Sequence, residues 1–226
     1  MTDRTVGVIG LGAMGMGIAR TLRQRGYRVH VCDARDGVAT AFAAEGGVAC
    51  ASPAEVAAQA RVVVSVVVNA AQTEQVLFGS HGAVAAMSPG SVFVMCSTVD
   101  PNWSIALEAQ LARQDILYVD APISGGAARA ASGEMTMMTA ATPAAYAAAG
   151  AVLEAMAGKV YRLGDRAGAG SQVKIINQLL AGVHIAAAAE AMALGLREGV
   201  DPAALYEVIT HSAGNSWMFE NRMAHV

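Results

Sequence analysis

A Gly-rich segment near the N-terminus has the spacing that binds a pyrophosphate. Gly10-Leu11-Gly12-Ala13-Met14-Gly15 follows a short apolar run and opens a helical stretch. In such a turn the first glycine permits the tight bend, the second permits close approach of a pyrophosphate, and the third permits close packing of helix on strand. The positive end of the helix stabilises the phosphate charge. We therefore predict that these six residues bind a dinucleotide.

An acidic residue ends the second predicted strand. Asp33 stands 23 residues after Gly10, where a carboxylate accepts hydrogen bonds from the adenosine ribose hydroxyls and repels a 2′-phosphate. This position favours NAD over NADP as the cofactor. Arg35, two residues further on, is within reach of a 2′-phosphate and keeps NADP open as the less favoured alternative.

Lys174 is one of only two lysines in a chain with thirteen arginines. Arg does not release a proton near neutral pH, whereas a desolvated Lys does, and proton transfer to and from a hydroxyl needs such a group. We therefore predict that Lys174 is a general acid/base; a lysine that only extends to solvent from an apolar helix is the alternative. Asn177 and Gln178 lie on the same side of a helix, where they either bind a substrate hydroxyl or pack between helices.

Two further groups follow predicted strands. Ser97-Thr98 comes directly after one strand, and its hydroxyls either line the cofactor crevice or cap the next helix. Ser124, with the backbone N–H groups of Gly125 and Gly126, follows another strand. These three residues would form an anion cradle suited to a carboxylate; an ordinary loop is the alternative.

The surrounding sequence alternates between strand and helix patterns. Five short β-branched runs precede residue 121, the third of them at 62–68. Continuous apolar runs of this kind are typical of strands buried on both faces of a parallel sheet. Four helices are predicted to begin at a capping residue followed by proline, and Ser52 with Glu55 also has the capping-box spacing. The four starts are Ser52-Pro53, Asp100-Pro101, Thr142-Pro143 and Asp201-Pro202.

The pattern changes near residues 163–168. Strands are predicted near 134–139 and at 159–163, and no strand pattern follows them. One long helix of roughly 45 Å is predicted from about Gly168 to Glu198. The sequence therefore predicts an α/β fold with two domains. Residues 1–164 form an NAD-binding, Rossmann-type domain with a doubly wound, mostly parallel sheet, and residues 165–226 form an all-helical domain for substrate binding and oligomerisation.

Composition excludes several kinds of partner. The net charge of −3 and the lack of a basic run argue against nucleic acid and against an anionic membrane surface. The most apolar stretch, 179–194, is interrupted by His184 and Glu190, so we predict a buried helix there and no membrane span. Isolated cysteines and the lack of a signal-peptide pattern favour the cytoplasm. The histidines lack ligand spacing, and we predict no metal site.

Three motifs together resemble the β-hydroxyacid dehydrogenases, the family of 3-hydroxyisobutyrate dehydrogenase and tartronate semialdehyde reductase. They are VGVIGLGAMGMGIA at 6–19, DAPISGG at 120–126 and GAGSQVKIINQLL at 168–180. The resemblance covers nearly the whole chain. It implies a nicotinamide cofactor and a small hydroxy acid as substrate.

The resemblance also implies a role for individual residues. Lys174 corresponds to the family's general acid/base, and Thr98 to a contact on the nicotinamide side of the cofactor. The turn at 124–126 corresponds to the site for the substrate carboxylate. The loop at the cofactor after the fourth strand usually contains Leu-Pro, and here it reads Val68-Asn69. The family usually has Asn four residues after the lysine, and here that residue is Gln178.

Several segments resemble the L-threonate dehydrogenase branch of this family. They include VVVNAAQTEQVLFG at 66–79 and NSWMFENRM at 215–223. This branch implies oxidation of a four-carbon sugar acid at its 2-hydroxyl to the 2-oxo acid. Two alternatives of the same class stay open. One is a dehydrogenase for 3-hydroxyisobutyrate or for tartronate semialdehyde and glycerate; the other is a reductive-aminase-like enzyme, for which NADP preference and replacement of Lys174 are expected.

Length and surface character lead to two further expectations. Family members continue past this point with more helices and a further Lys-Asp motif, so we expect the second domain to be incomplete. A non-catalytic NAD-binding module is therefore the alternative from another class. The long helix has apolar residues on more than one face, so we expect a homodimer or homotetramer.

Overall fold

The computed structural model describes residues 4–224. Its strands are β1 (Thr5–Ile9), β2 (Arg28–Cys32), β3 (Val48–Ala49), β4 (Val62–Ser65), β5 (Val92–Met95), β6 (Leu117–Asp120), β7 (Ile123–Ser124), β8 (Thr136–Ala141) and β9 (Lys159–Arg162). Its α-helices are α1 (Gly15–Gln24), α2 (Val38–Ala44), α3 (Pro53–Gln59), α4 (Ala70–Phe78), α5 (Pro101–Ala112), α6 (Gly126–Ser132), α7 (Pro143–Met156), α8 (Ala169–Arg197), α9 (Pro202–Thr210) and α10 (Trp217–Met223). A 3-10 helix covers Ala83–Ala86.

The strands form one sheet in the order β3-β2-β1-β4-β5-β6-β8-β7, with β9 paired to β8. The first six strands in that order are parallel to one another. Strand β8 is antiparallel to β6 and β7, and β9 is parallel to β8. The predicted doubly wound, mostly parallel sheet is therefore confirmed. Its chain order reverses between β1 and β4, which is where such sheets bind ligands.

Both faces of the central strands β1, β4 and β5 are buried, as the continuous apolar runs predict. Val6 and Val8 of β1 point into one core cluster together with Ile18 and Leu22 of α1. Ile9 points into the cluster on the opposite face. This alternation explains why strands covered by helices on both sides have apolar residues at every position.

All four predicted Pro-containing helix starts are confirmed. In each, the residue before the proline accepts a hydrogen bond from a backbone N–H of the first turn. Glu55 completes the predicted capping box at α3, although its carboxylate accepts from the N–H of Ala51, one residue before the Ser52 cap. These local interactions satisfy N–H groups that a helix start otherwise leaves unpaired.

The third β-branched run differs from its prediction. The run at 62–68 is continuous in sequence, but β4 ends at Ser65. Beyond Ser65 the chain passes against the Gly-rich turn, where a Cβ on Gly10 would lie 3.1 Å from the Val66 carbonyl carbon. This close approach to the neighbouring loop ends the strand before its apolar residues end.

Helix α8 crosses the division between two compact units: the first ends at Lys174 and the second begins at Ile175. The second unit has a small core in which Ala188 and Met192 of α8 pack with Phe219 and Met223 of α10. The rings of Tyr206 and Phe219 stack at 5.8 Å. The core closes tightly because α8 has glycine at Gly195, where a Cβ would lie 2.2 Å from a methyl group of Leu205.

The prediction that the apolar stretch of α8 is buried is wrong for residues 4–224, the part of the chain that the structure describes. Among the described residues α8 is the one helix long and apolar enough to cross a membrane by length and composition, and only 17% of its most apolar window is buried. Leu179 and Ile176 are 66% and 59% exposed. The small core of the second unit uses few α8 side chains, and many of the other apolar residues of α8 are exposed in the part of the chain that the structure describes.

Candidate active site

The Gly-rich turn has the shape that a pyrophosphate requires. Gly10 has φ +90°, in the left-handed region, and a Cβ on Gly15 would lie 1.9 Å from the Gly10 oxygen. A Cβ on Gly12 would meet nothing within 4 Å, so the turn is open at its second glycine. Met14 is the N-cap of α1, and its side chain makes no capping hydrogen bond. The N-terminal N–H groups of α1 are therefore available to an anion, and the turn fits a dinucleotide.

Asp33 connects the end of β2 to this turn. Its Oδ2 accepts a hydrogen bond of 2.6 Å from the N–H of Leu11. The Arg35 guanidinium donates to both carboxylate oxygens. Hydrogen bonds from this guanidinium, and from the backbone N–H groups of Arg35 and Leu11, lower the pKa of Asp33 to about 2. The carboxylate is therefore ionised and fixed at the edge of the turn at neutral pH.

The loop after β4 lies next to the turn and presents an apolar side chain to solvent. Val68 is 75% exposed. The Asn69 side chain caps α4 by accepting from the N–H of Gln72 at 2.9 Å, and the Gln72 side chain accepts from the N–H of Val68 at 2.9 Å. These reciprocal bonds fix the loop conformation. In this structure the side-chain amide oxygen of Asn69 therefore already accepts a hydrogen bond within the loop.

Ser97 and Thr98 have different environments at the end of β5. Ser97 is buried and donates to the carbonyl of Val67 at 2.7 Å. Thr98 is exposed, and the N-cap of the following α5 is Asp100. The alternative in which Thr98 caps that helix is therefore wrong. Its side chain is open to a ligand at the carboxyl end of the parallel strands.

A buried carboxylate fixes the start of α8. Asp120 ends β6 and is fully buried. Its Oδ2 accepts from the backbone N–H groups of Gly168 and Ser171, and its Oδ1 accepts from the Ser171 hydroxyl at 2.7 Å. A Cβ on Gly170 would lie 2.9 Å from the Asp120 carbonyl oxygen and 2.5 Å from that of Met138. The helix therefore begins in direct contact with the sheet.

Lys174 follows one turn after this anchor and belongs to the same compact unit. The residue is only 6% exposed. Desolvation by burial lowers the pKa of Lys174 below its ordinary value. None of the ion pairs found among residues 4–224 includes it. A buried amine without a carboxylate partner gives up its proton more easily than a solvated one does.

The predicted carboxylate cradle lies just beyond β6. Ser124 ends the short strand β7, and Gly125 and Gly126 begin α6 with φ values of +132° and +72°. A Cβ on Gly126 would meet nothing within 4 Å. Since Ser124 is only four residues from the Asp120 anchor, the chain holds this turn and the start of α8 at the same end of β6.

Asn177 and Gln178 belong to the second compact unit. Asn177 is partly buried and Gln178 is exposed. Their roles toward a substrate stay predictions.

Sequence reasoning missed the contribution of Asp120. Within the motif at 120–126 the predicted ligand groups were Ser124 and the two glycines, and Ser171 had no predicted role. The side chains of Asp120 and Ser171 are hydrogen-bonded although 51 residues separate them. The one available signal was an acidic residue at the end of a buried strand, which needs hydrogen-bonding partners when it is buried.

Comparison with known proteins assigns the chain to a family. A profile described as the NAD-binding domain of 6-phosphogluconate dehydrogenase matches residues 5–164, and a profile described as NAD-binding of NADP-dependent 3-hydroxyisobutyrate dehydrogenase matches residues 168–226. The chain belongs to the β-hydroxyacid dehydrogenase family of NAD(P)-dependent oxidoreductases.

Named relatives of this β-hydroxyacid dehydrogenase include two L-threonate dehydrogenases. The protein of that name from Cupriavidus necator is 66% identical over 224 residues, which cover 99% of this chain and 75% of the relative. The one from Escherichia coli K12 is 46% identical, with 98% and 74% covered. A crystal structure named 3-hydroxyisobutyrate dehydrogenase from Salmonella typhimurium has a TM-score of 0.93 at 49% identity, covering 98% of this chain and 77% of that one.

Proposed function

We propose that this β-hydroxyacid dehydrogenase oxidises L-threonate to its 2-oxo acid, with NAD as the hydride acceptor and Lys174 as the general acid/base. The observation that carries the catalytic assignment is the burial of Lys174 one turn after the Asp120 anchor, without an acidic partner among the described residues. The identity of 66% to an L-threonate dehydrogenase supports the substrate.

The proposed chemistry gives each group one task. The Ser124 hydroxyl and the N–H groups of Gly125 and Gly126 bind the substrate carboxylate. Neutral Lys174 accepts the proton of the 2-hydroxyl as hydride leaves the carbon, and protonated Lys174 returns it in the reverse direction. The nicotinamide supplies the redox chemistry when it is bound. Burial favours this assignment, because it increases the fraction of Lys174 that is neutral at a given pH.

The cofactor preference is assigned to the adenosine end of the site. We propose that the ionised Asp33 carboxylate binds the ribose hydroxyls of NAD and that the Gly-rich turn at 10–15 holds the pyrophosphate. Val68, Asn69 and Thr98 complete the cofactor side from the loops after β4 and β5. The open space at Gly12 and the uncapped start of α1 support this orientation.

A second candidate is oxidation of a 3-hydroxy acid. It is favoured by the crystal structure named 3-hydroxyisobutyrate dehydrogenase, with its TM-score of 0.93. The two candidates differ in which carbon bears the hydroxyl relative to the carboxylate, and hence in the spacing between the carboxylate cradle and Lys174.

We also propose a cytoplasmic homo-oligomer, a homodimer or a homotetramer. Its support is the exposed apolar surface of α8, which association with a second copy would cover. The three cysteines are free, as in a reducing compartment.

The deciding experiment is an assay of NADH formation with this chain and a panel of L-threonate, D-glycerate and 3-hydroxyisobutyrate, with NAD and NADP in parallel. Turnover of L-threonate above the other acids supports the proposal, and preference for 3-hydroxyisobutyrate supports the second candidate. Binding of NADH without turnover of any acid contradicts catalysis by this chain and favours the non-catalytic module.

A further inference from the structure

Helix α6 is short and has glycine in the left-handed region at each end. Gly125 and Gly126, at its start, have φ values of +132° and +72°, and its C-cap, Gly133, has φ +72°. Of its seven residues, all within the described part of the chain, Ala130 alone is buried. The position of α6 therefore depends on the few contacts that its buried side makes.

Helix α1 supplies a close backbone contact to α6. A Cβ on Gly17 of α1 would lie 2.8 Å from the backbone nitrogen of Ala131 and 2.9 Å from the carbonyl carbon of Ala130. Both distances are shorter than an ordinary van der Waals contact, and glycine is the residue that permits such an approach. The backbone of α6 therefore packs directly on α1.

Thr21, one turn further along α1, forms a hydrogen bond with the end of α6. Its side chain is buried, and its hydroxyl donates to the carbonyl of Ala130 at 3.0 Å and lies 3.3 Å from that of Ala131. The last carbonyls of a helix have no partner within it. The N–H of Glu134, which would reach Ala130 in a continuing helix, donates to Arg129 instead. The Thr21 hydroxyl therefore satisfies the end of α6 from another helix.

Both ligand sites of the proposed function thus depend on α1. The pyrophosphate turn at 10–15 leads into α1 at Gly15, and α6 begins within the carboxylate turn at 124–126. These segments all belong to the first compact unit. Helix α6 is only roughly 10 Å long, so a displacement of its last turn is expected to move the carboxylate turn as well.

We propose that Thr21 is a positioning residue for substrate binding: from α1 it holds α6, and with it the turn at 124–126, in the position that binds the carboxylate of the hydroxy acid. The inference rests on the proposed function, in which that turn binds the carboxylate. Without the hydroxyl, a buried carbonyl at the end of α6 loses its donor, and an unsatisfied buried acceptor is costly. The helix then moves toward water, and the turn moves with it.

The expected size follows from the net strength of one hydrogen bond. Thr21→Val replaces the hydroxyl by a methyl group of similar size, and we expect it to raise the KM for L-threonate by roughly 3- to 10-fold. The NADH dissociation constant and kcat should change less than this KM, because the Gly-rich turn and the Asp120 anchor keep their contacts. Thr21→Ser keeps the hydroxyl and should restore the KM.

The experiment combines steady-state kinetics with L-threonate, NADH binding by fluorescence, and amide hydrogen exchange of the segment 124–133. The chains compared are the unmodified one, Thr21→Val, Thr21→Ser and Thr139→Val. Thr139 is the matched control, because it is also a buried threonine and its hydroxyl donates to the carbonyl of Tyr161 at 2.8 Å. We expect faster exchange of 124–133 and a higher KM in Thr21→Val alone.

Unchanged exchange of 124–133 in Thr21→Val overturns the inference, and so does faster exchange with an unchanged KM. An equal loss of NADH affinity also overturns it, because general damage to α1 would then explain both effects. A Thr21→Ser chain that behaves like Thr21→Val would assign the effect to the lost methyl group and overturn the role of the hydroxyl. An unmodified chain that oxidises no hydroxy acid contradicts the proposed function; faster exchange confined to Thr21→Val would then still support the hold of Thr21 on the turn, because exchange needs no substrate.

Discussion

At the scale of single residues, the proposed role of Lys174 in proton transfer can be tested separately from cofactor binding. We expect Lys174→Met to lower kcat by ~10²–10⁴-fold, because it removes the proposed general acid/base and keeps an unbranched apolar stem in the buried site. NADH binding measured by fluorescence should be unchanged. Lys159→Met is the matched control, since Lys159 is exposed and lies over the ring of Tyr161 at 5.6 Å. A loss of only a few-fold in Lys174→Met would remove Lys174 from the mechanism.

The lowered pKa of Lys174 predicts opposite pH profiles for the two directions of the reaction. In the proposed reaction oxidation needs the neutral amine, so kcat/KM for the hydroxy acid should rise with pH through the pKa of Lys174, at a value below that of a solvated lysine. Reduction of the oxo acid needs the ammonium and should fall through the same pKa. Profiles measured in both directions test this. A shared midpoint that persists in Lys174→Met would contradict the assignment.

Some features of the candidate site were predictable from the sequence, and others depend on the folded structure. The tight turn at 10–15 was predictable because glycine spacing is a local property. Rarity singled out Lys174, which the structure shows to be buried, and its catalytic role stays a prediction. The contact of Arg35 with Asp33 was predictable only as a possibility, since a two-residue separation does not determine where a long side chain rests. The link from Asp120 to Ser171 was not predictable, because its partners meet only once the sheet has formed.

At the scale of elements, Asp120 joins the sheet to the start of α8. Asp120→Ala would leave the N–H groups of Gly168 and Ser171 and the Ser171 hydroxyl buried without an acceptor, at a cost of about 1–3 kcal/mol for each unsatisfied group. Ser171→Ala removes one bond and should cost about 1 kcal/mol. Urea unfolding measures both losses.

The Asp120 anchor also makes a prediction about activity. Since Lys174 follows it by one turn of helix, Asp120→Asn should lower kcat more than it weakens NADH binding, and less than Asp120→Ala does. The asparagine keeps one acceptor oxygen, and the Ser171 hydroxyl can rotate to accept from the new amide. Equal effects of Asp120→Asn on kcat and on NADH binding would show that the residue stabilises the fold without positioning Lys174.

Two glycines of α8 should respond to alanine with opposite sign. Gly170→Ala places a Cβ 2.5 Å from the carbonyl oxygen of Met138, and such overpacking typically costs 1–3 kcal/mol. Gly182→Ala meets nothing within 4 Å and should stabilise the helix by about 0.5–1 kcal/mol, because alanine loses less backbone entropy. Urea unfolding of the two variants gives the sign directly. Destabilisation by Gly182→Ala would contradict the open space around it.

Element boundaries were predictable where the chain itself encodes them. The four Pro-containing helix starts depend on neighbouring residues and were correct. Strands β3 and β7 have two residues each and exist only through pairing with β2 and β8, so no local pattern marks them. The end of β4 depends on the neighbouring turn at Gly10, which explains why the run VVVSVVV at 62–68 gave a predicted strand that was too long.

At the scale of the whole molecule, the exposed surface of α8 makes self-association the expected state. Leu179 and Val183 are 66% and 55% exposed and lie one helical turn apart. Transfer of such side chains out of water contributes about 1.5–3 kcal/mol for each when burial is complete. We expect the unmodified chain to sediment as a dimer or tetramer, and Leu179→Glu with Val183→Glu to shift it toward the monomer.

A control variant distinguishes a specific interface on α8 from nonspecific association. Val208 of α9 is 63% exposed but lies on another helix, so Val208→Glu makes a similar apolar-to-acidic change and should leave the sedimentation coefficient unchanged. The chain has a net charge of −3, so added carboxylates increase the repulsion between copies in either variant. The interface is supported only if association is lost in the α8 double variant and kept in Val208→Glu. A monomer in the unmodified chain would contradict self-association, and solubility only in detergent would instead favour a lipid-facing α8.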